Sequence, residues 1–410
     1  MAEKTIDTET TVPRYPLERA VGCPFAPPPA VLDMAEAGPL ARVKLWDDST
    51  PWLVTKYAEA RALYYDSRVS VDDRLDGFPH WNEGMQAMSH TRPASVFNRD
   101  AEEHARHRRM MTKPFAFKRV EALRPAIQKI TDEHIDAILA GPKPADIVAA
   151  LALPVPSLVI SEMLGVPYAD HEFFQHHSDV GLGRNTTAEQ SQANVVGMMQ
   201  YLADLVDKKI EHPAEDAISD LAEHVSAGEI DKWEAAMTAV GLLIAGHETT
   251  ANMIGLGTLA LLENPEQLAV MRDTEDPKVL ANAVEELLRY LSIIHTGQRR
   301  VALADIEVGG EVIHAGDGII IDLAPANWDS DVFSDPDRLD TDRANANQHM
   351  AFGHGRHQCV GQQLARAELQ IVFRTLLRRI PTLRLATTID RIEFKHDRLA
   401  YGVYELPVEW

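Results

Sequence analysis

Cysteine is scarce in this sequence. The chain of 410 residues contains 2 cysteines, Cys23 and Cys359. Two cysteines so far apart do not make a disulfide framework, which indicates a protein of a reducing compartment. With so few candidates, any cysteine chemistry falls on one of these two side chains.

Long apolar runs and targeting signals are also missing. The longest uncharged run begins at Ile147, is too short to span a bilayer, and contains Pro154 and Pro156. Met1 to Thr11 is polar and acidic, with neither a basic start nor an apolar segment. We therefore expect a cytoplasmic protein with no membrane anchor.

Positive charge is in the minority. The chain has 62 Asp and Glu against 40 Lys and Arg, a formal charge of −22. Because nucleic acid phosphates would be repelled, we expect no nucleic acid partner. The segment from His104 to Arg119 is the exception, with several basic side chains and no acid. It is either a solvated helix face or a docking patch for an acidic partner or for ligand carboxylates.

The order of secondary-structure signals favours a mainly α fold with small β-sheets rather than a doubly wound sheet. Strand-like runs at Leu40 to Trp46 and Trp52 to Lys56 flank a polar turn and predict a hairpin. Helical patterns follow, and strand signals return at Arg299 to Ile321, with Gly309-Gly310 as the turn, and in the C-terminal tail. We expect one domain over residues 1–410, with residues 1–20 as a flexible lead-in.

The most specific motif is a glycine-rich run before a helical pattern that starts at Gln362. Its residues are Phe352-Gly353-His354-Gly355-Arg356-His357-Gln358-Cys359-Val360-Gly361. A helix N-terminus offers unpaired amides and the positive end of its dipole, so we expect the sulfur of Cys359 to be held ionised and to serve as a metal ligand. Gly355 and Gly361 would let the backbone approach a flat ligand, against which Phe352 could pack.

Three other interpretations of this run stay open at this point. It could be a plain glycine-rich loop, a zinc site that uses His349, His354 or His357, or a Cys–His pair for acyl transfer. Zinc sites with cysteine usually supply a second cysteine at short spacing, and Cys23 is distant.

A second motif interrupts a long apolar helix predicted from about Lys232 to about Leu262. The polar cluster Ala245-Gly246-His247-Glu248-Thr249-Thr250 lies in its middle. Thr249 can donate to the carbonyl of Ala245 one turn earlier and so open the helix locally. The cluster is either a helix bend with a capped polar pocket or a site for a small ligand or water, and we expect His247 to be a packed side chain.

Together these motifs resemble the cytochrome P-450 superfamily, the thiolate-ligated haem monooxygenases. The cysteine run resembles that family's haem-binding loop, the segment Ala245 to Thr250 its oxygen-binding helix, and Glu286 with Arg289 its acid-x-x-arginine pair. The resemblance covers essentially the whole chain. It is greatest to soluble bacterial members, particularly actinobacterial enzymes that act on secondary metabolites and xenobiotics.

The resemblance implies a helix-rich lobe and a β-rich lobe that hold haem b between the oxygen helix and the cysteine helix. Cys359 would be the axial ligand of the haem iron. Glu248 and Thr249 occupy the family's acid and alcohol positions, which organise water and deliver protons for oxygen activation. Cys359, Glu248 and Thr249 are therefore the expected catalytic residues.

The resemblance also implies basic partners for the two haem propionates. By position, the haem-binding residues are His104, Arg108, Arg300 and His357, together with Phe352, Gly353 and Cys359. Arg300 is preferred to Arg299 because its spacing to Asp305 fits the family's strand pattern, and alternation along a strand sends the two arginines to opposite faces. Glu286 and Arg289 would be structural, completed by Arg338 or Arg343, which the sequence does not distinguish.

Electrons must come from a separate protein, because the sequence has no flavin or iron–sulfur motif. The resemblance implies an acidic ferredoxin that docks on the basic face near Arg109 and Lys113. The basic segment would thus serve both the propionates and the redox partner.

The loops that the family places over the haem predict the substrate contacts. These are Met85, Met88, Ile244, Ala245, Ile294 and Leu399. An apolar pocket suits a bulky lipophilic molecule that is hydroxylated, or demethylated at oxygen or nitrogen. The alternatives are a nitric oxide reductase-like or peroxide-using member of the superfamily, or a non-enzymatic haem protein. Glu248 favours oxygenation, since the family's nitric oxide reductases carry a small residue at that position.

Overall fold

The computed structural model describes residues 12–90, 96–170, 173, 176–177 and 188–410 of the protein. In these ranges the α-helices are α1 (Pro29–Ala37), α2 (Tyr57–Tyr65), α3 (Glu83–Ser89), α4 (Ala101–Thr112), α5 (Phe117–Ala140), α6 (Pro154–Leu164), α7 (Ala188–Glu211), α8 (Ala217–Ser226), α9 (Lys232–Glu263), α10 (Pro265–Asp273), α11 (Pro277–Leu291), α12 (Leu323–Asn327) and α13 (Gln362–Arg379). The β-strands are β1 (Leu40–Arg42), β2 (Trp52–Val54), β3 (Val69–Ser70), β4 (Ala145–Asp146), β5 (Gln298–Ala302), β6 (Ile306–Val308), β7 (Glu311–Ile313), β8 (Gly318–Ile321), β9 (Arg384–Leu385) and β10 (Pro407–Glu409). The predicted mainly α fold with small sheets is confirmed.

The strands of the described ranges form small sheets. The largest has the order β1-β2-β8-β5-β3, and the others are β4-β10-β9 and β6-β7. The predicted hairpin is confirmed, since β1 and β2 are antiparallel. β8 runs parallel to β2 and antiparallel to β5, where Arg300 lies opposite Ile319. The turn predicted at Gly309-Gly310 joins β6 to β7, and both glycines have positive φ.

The longest described helix, α9, runs through the main hydrophobic core. Its N-terminus is closed by a capping box, in which the Asp231 carboxylate accepts from the backbone amide of Glu234. The helix ends at Glu263, just before Pro265 begins α10, close to the predicted boundary. It packs against α6, α7 and α13. No helix in the described ranges is both long and apolar enough to cross a membrane.

A buried ion cluster ties α11 to the segment that precedes the cysteine loop. Arg289 donates to both carboxylate oxygens of Glu286 at 2.8 Å, and both side chains are fully buried. Arg343 donates from Nε to the same carboxylate at 3.0 and 3.1 Å. The Arg338 side chain is exposed and pairs with Asp340, so Arg343 completes the cluster and Arg338 contributes its backbone carbonyl.

The expected lead-in is packed against the rest of the chain from residue 12 onward, and residues 1–11 lie outside the described ranges. Tyr15 is buried, and its hydroxyl donates to the carboxylate of Asp322 at 3.0 Å. Arg19 is also buried and donates to backbone carbonyls at the end of α11. These contacts hold residues 12–20 in place.

Replacing Arg343 with alanine should lower the free energy of unfolding by about 3–5 kcal/mol, because it removes one partner of a buried carboxylate. Replacing Arg338 with alanine should change it by less than about 0.5 kcal/mol, because that side chain is exposed. Urea unfolding followed by circular dichroism measures both. Equal losses in the two variants would contradict the placement of Arg343 in the cluster.

Candidate functional site

An apolar cavity lies between α9 and α13, and Cys359 is part of its wall. Most of the lining is apolar and includes Met111, Leu242, Met253, Ile293, Leu364 and Leu369. The polar part of the lining includes His104, Arg108, Thr249, Thr250, Gln298, His357 and Glu368. The cavity therefore combines a lipophilic volume with polar groups at a few positions, as ligand sites commonly do.

The cysteine loop closes on itself before α13 begins. The backbone amide of Cys359 donates to the carbonyl of Phe352 at 2.9 Å, and α13 starts at Gln362 as predicted. Gly353 has a φ of 68°, a conformation that side chains other than glycine rarely adopt. The loop thus presents the cysteine just ahead of a helix N-terminus.

Two glycines of this loop differ in what they allow. A Cβ on Gly355 would lie 2.7 Å from the backbone oxygen of Tyr64, so this glycine permits contact with α2. Gly355 is not among the residues that line the cavity, and its approach to a flat ligand stays a prediction. Gly361 borders the cavity, and a Cβ there would meet no described protein atom closer than 3.6 Å. Phe352 also lines the cavity, as expected of a ring that packs against a ligand.

The sulfur of Cys359 opens into the cavity, although protein encloses the residue otherwise. Burial raises the pKa of its thiol. The backbone amides of Gly361 and Gln362 and the nearby guanidinium groups of Arg108 and Arg366 oppose this rise without cancelling it. Burial therefore acts against the expectation that the helix terminus holds the sulfur ionised, and that expectation stays a prediction. A bound cation would favour the thiolate further.

Basic side chains gather at one side of the cavity. The rings of His104 and His357 lie with their centroids 4.0 Å apart. Burial, together with repulsion from His104, Arg300, Arg356 and Arg108, lowers the pKa of His357 to about 3. The buried Nε2 of His357 has no hydrogen-bond partner among the described residues. This excess of positive charge calls for an anionic ligand.

Arg299 and Arg300 extend in different directions from β5. Arg299 donates to the carbonyl of Pro79 at 3.0 Å. Arg300 lies near the ring of Tyr64, with its guanidinium carbon 5.7 Å from the ring centroid, and it contributes to the low pKa of His357. The structure therefore places Arg300 in the basic cluster, while its contact with a propionate stays a prediction.

The polar cluster of α9 faces the cavity in part. The hydroxyl of Thr249 donates to the carbonyl of Ala245 at 2.8 Å, which confirms the predicted hydrogen bond. Both residues line the cavity. Glu248 lies outside the lining and interacts electrostatically with Lys395 and Arg398. Burial raises the pKa of the Glu248 carboxyl, and these two cations partly offset the rise.

The zinc and acyl-transfer interpretations do not fit this geometry. His349 pairs with Glu285 at 3.1 Å, and in the described ranges no group of three or more His, Cys, Asp or Glu side chains is arranged to hold a metal ion. A Cys–His nucleophile needs a thiolate beside an imidazolium. Here the pKa of Cys359 is raised and that of His357 is lowered, which opposes both charges.

The basic segment is less open to a partner than its sequence indicated. Lys113 lies 2.5 Å from the carboxylate of Asp220 and 3.4 Å from that of Glu223, both in α8. Its charge is therefore balanced locally. Arg109 is exposed, and so is Arg356 of the cysteine loop.

The predicted substrate contacts separate into groups. Ala245 and Ile294 line the cavity. Met85, Ile244 and Leu399 are exposed apolar side chains outside the lining. The side chain of Met88 lies outside the described part of the chain.

Sequence reasoning missed many residues of the cavity wall, and Phe97 and Glu368 are two of them. Phe97 packs on α9 at Gly241, where a Cβ would lie 2.9 Å from the ring. Glu368 is 2 % exposed, burial raises its pKa well above the usual range, and one carboxylate oxygen has no partner among the described residues. Its spacing of four residues from Leu364, on the apolar face of α13, was a signal that could have found it. Phe97 offered none.

The cavity makes two demands on its ligand, a cation for the sulfur and anions for the basic cluster. An iron porphyrin with propionate groups meets both. A helical protein that binds such a group through cysteine is a haem-thiolate oxidoreductase.

Comparisons with known proteins identify the family. Residues 184–384 match the family model described as Cytochrome P450. The chain is 66% identical to Cytochrome P450 CYP105Q4 of Mycobacterium marinum over 410 residues, which cover 100% of this chain and 99% of that protein. It is 56% identical to Cytochrome P450 GfsF of Streptomyces halstedii over 405 residues, 98% of each chain. The chain belongs to the cytochrome P450 family.

Solved structures agree with the sequence comparison. The crystal structure of GfsF matches with a TM-score of 0.93 at 56% identity and covers 97% of this chain and 100% of that one. The structure of the mycinamicin VIII C21 methyl hydroxylase of Micromonospora griseorubida, bound to mycinamicin VIII, matches with a TM-score of 0.88 at 41% identity. It covers 97% of this chain and 100% of that chain.

The protein is a cytochrome P450 monooxygenase, and haem b is its cofactor. The residues present fit that group. The sulfur of Cys359 opens into the cavity, Gly361 leaves room beside it, and the unpartnered Nε2 of His357 is available at the basic side.

Replacing Arg300 with leucine should speed haem loss roughly tenfold, because a hydrogen bond to a charged group contributes about 1.5–3 kcal/mol. Replacing Arg299 with leucine is the matched control and should leave haem retention close to that of the unmodified protein. Transfer of haem to excess apomyoglobin, followed by absorbance, measures the rate. Faster loss from the Arg299 variant alone would assign the propionate to Arg299 instead.

Proposed function

We propose that the protein uses dioxygen and two electrons from a separate ferredoxin system to hydroxylate a bulky lipophilic small molecule, or to demethylate it at oxygen or nitrogen. A secondary metabolite or a xenobiotic would be the substrate. The observation that carries the proposal is that the hydroxyl-bearing turn at Thr249 and the sulfur of Cys359 belong to one apolar cavity. The similar hydroxylase bound to mycinamicin VIII supports a substrate of this kind.

Bound haem would supply the oxygen-activating chemistry. We assign Cys359 as the residue that would hold the haem iron, because its sulfur opens into the cavity. Amide donors from Gly361 and Gln362 would temper the electron density of that sulfur. The propionates would bind through charge-assisted hydrogen bonds to His104, Arg108, Arg300 and His357, and Phe352 and Gly353 would lie against the ring.

Thr249 and Glu248 would manage protons for the reaction. The Thr249 hydroxyl donates to the carbonyl of Ala245, so its oxygen keeps acceptor sites for a water molecule in the cavity. Burial raises the pKa of Glu248, so this carboxyl takes up a proton more readily than an exposed one. Water held between the two side chains would carry protons into the cavity.

The electron donor would be an acidic ferredoxin that docks on the cysteine side of the haem site. Arg109 and Arg356 are exposed and suit this role, whereas Lys113 already has acidic partners within the chain. Attraction between opposite charges would raise the association rate. Cys23 and Cys359 are both free thiols, which suits the reducing cytoplasm as the compartment.

Replacing Thr249 with alanine should lower the product formed per reductant consumed by on the order of tenfold, because water and protons are no longer organised at the cavity wall. Reductant consumption should continue and yield hydrogen peroxide. A substrate is first found by the spectral change that lipophilic compounds cause on binding. Product and reductant are then both quantified with that substrate, and their ratio is the coupling. Hydrogen peroxide carries its own protons, so peroxide-driven turnover should be nearly unaffected.

Thr238→Ala is the matched control. Thr238 lies on the same helix outside the cavity lining, and it donates to the carbonyl of Glu234 at 2.8 Å, the same kind of hydrogen bond. The Thr238→Ala variant should form as much product per reductant consumed as the unmodified protein. Unchanged coupling in Thr249→Ala as well would refute the proton role. Turnover of the unmodified protein with peroxide and none with dioxygen would favour the peroxide-using alternative.

A further inference from the structure

A buried lysine lies against α9, on the side of the helix that faces away from the cavity. Lys395 is 9 % exposed, and its ammonium group donates to the side-chain oxygen of Asn252 at 2.8 Å. Asn252 belongs to α9 and is 3 % exposed. A buried ammonium group with a neutral partner is costly unless an anion lies nearby.

The fold holds this lysine in place through a C-terminal hairpin, residues 394–403. The hairpin is closed by a bridge between Phe394 and Val403, and the backbone amide of Lys395 donates to the carbonyl of Gly402 at 2.9 Å. A Cβ on Gly402 would lie 2.2 Å from the side-chain oxygen of Asn252. The hairpin therefore approaches α9 closely, and Lys395 has little freedom to move away from it.

The anion is on the same helix. Glu248 lies four residues before Asn252, which places both side chains on one face of α9. Burial lowers the pKa of Lys395 and raises that of Glu248, and the attraction between the two groups opposes both shifts. Neither residue is among those that line the cavity, so the pair lies behind the wall that carries Thr249.

Within the described part of the chain, Arg398 and Asp397 are the other charges that act on this pair. Arg398 of the hairpin also attracts Glu248, and Asp397 attracts Lys395. His247, the neighbour of Glu248 on α9, is buried, with its Nε2 3.0 Å from the carbonyl of Leu153, and its lowered pKa leaves it neutral. Lys395 is thus the buried cation of this group, and Arg398 is the more open one.

We infer that Lys395 is a positioning residue for the acid Glu248: held by Asn252 and the C-terminal hairpin, it stabilises the ionised carboxylate each time that carboxyl has given up a proton. The inference rests on the proposed role of Glu248 and deepens it. Nothing in the reaction itself touches Lys395. Its contribution is a positive charge held by Asn252, the residue one helical turn after the acid.

The direction of the effect follows from the charges. Lys395 favours the ionised form and so lowers the pKa of Glu248 against the rise caused by burial. Removing the charge should raise the proton affinity of Glu248 about tenfold, an upward shift of about one pH unit in its titration midpoint. The product formed per reductant consumed can also be measured against pH. The part of that profile that depends on Glu248 should move to higher pH by the same amount.

The test uses the haem-loaded, full-length protein with Lys395→Met and Lys395→Arg. Infrared difference spectra over a pH series follow the C=O stretch of protonated carboxyl groups, and Glu248→Gln identifies the band of Glu248 by removing it. The midpoint should rise in Lys395→Met and stay near its original value in Lys395→Arg. Lys129→Met, an exposed position of α5, is the control for loss of a positive charge.

Haem content and circular dichroism establish that each variant is folded. Should Lys395→Met fail to fold, Asn252→Asp serves instead, since a carboxylate there competes for Lys395 and should also raise the midpoint. An unshifted Glu248 midpoint in a folded variant would overturn the inference. Loss of the Glu248 band with unchanged coupling in Glu248→Gln would instead refute the proposed function of Glu248, which keeps the two failures apart.

Discussion

The structure depends on balancing opposite charges inside an apolar cavity. Burial raises the pKa of the Cys359 thiol, and burial together with nearby cations lowers the pKa values of His104 and His357. Each charge is costly alone. A ligand with a central cation and peripheral anions satisfies both, so haem binding, ionisation of the cysteine and neutralisation of the basic cluster are linked.

The rest of the fold fixes the positions of the cysteine and of the proton-handling residues relative to each other. The sulfur precedes α13 and the proton-handling residues interrupt α9, two helices from distant parts of the chain that pack against each other. The buried ion cluster of Glu286, Arg289 and Arg343 anchors the segment that leads into the cysteine loop. The C-terminal hairpin covers the far side of α9. Packing therefore sets the distances on which the chemistry relies.

Much of this arrangement could be predicted from local patterns. The helix from about Lys232, the hairpin of β1 and β2, and the hydrogen bond of Thr249 depend on periodicity, turn residues and side-chain chemistry within a few positions. Contacts between distant segments could not be predicted in this way. The choice of Arg343 over Arg338, the acidic partners of Lys113 and the buried state of Glu368 depend on packing. The dipole argument for Cys359 left out burial, which acts against ionisation of the thiol and depends on packing.

The central claim is that Cys359 supplies a thiolate to haem iron at this cavity. The carbon monoxide difference spectrum of the reduced protein tests it most directly, because the position of the band reports which protein atom holds the iron. We expect the red-shifted band typical of thiolate-ligated haem, and its loss in Cys359→His. A band at the position of histidine-ligated haem in the unmodified protein, or a red-shifted band that persists in the variant, would contradict the account.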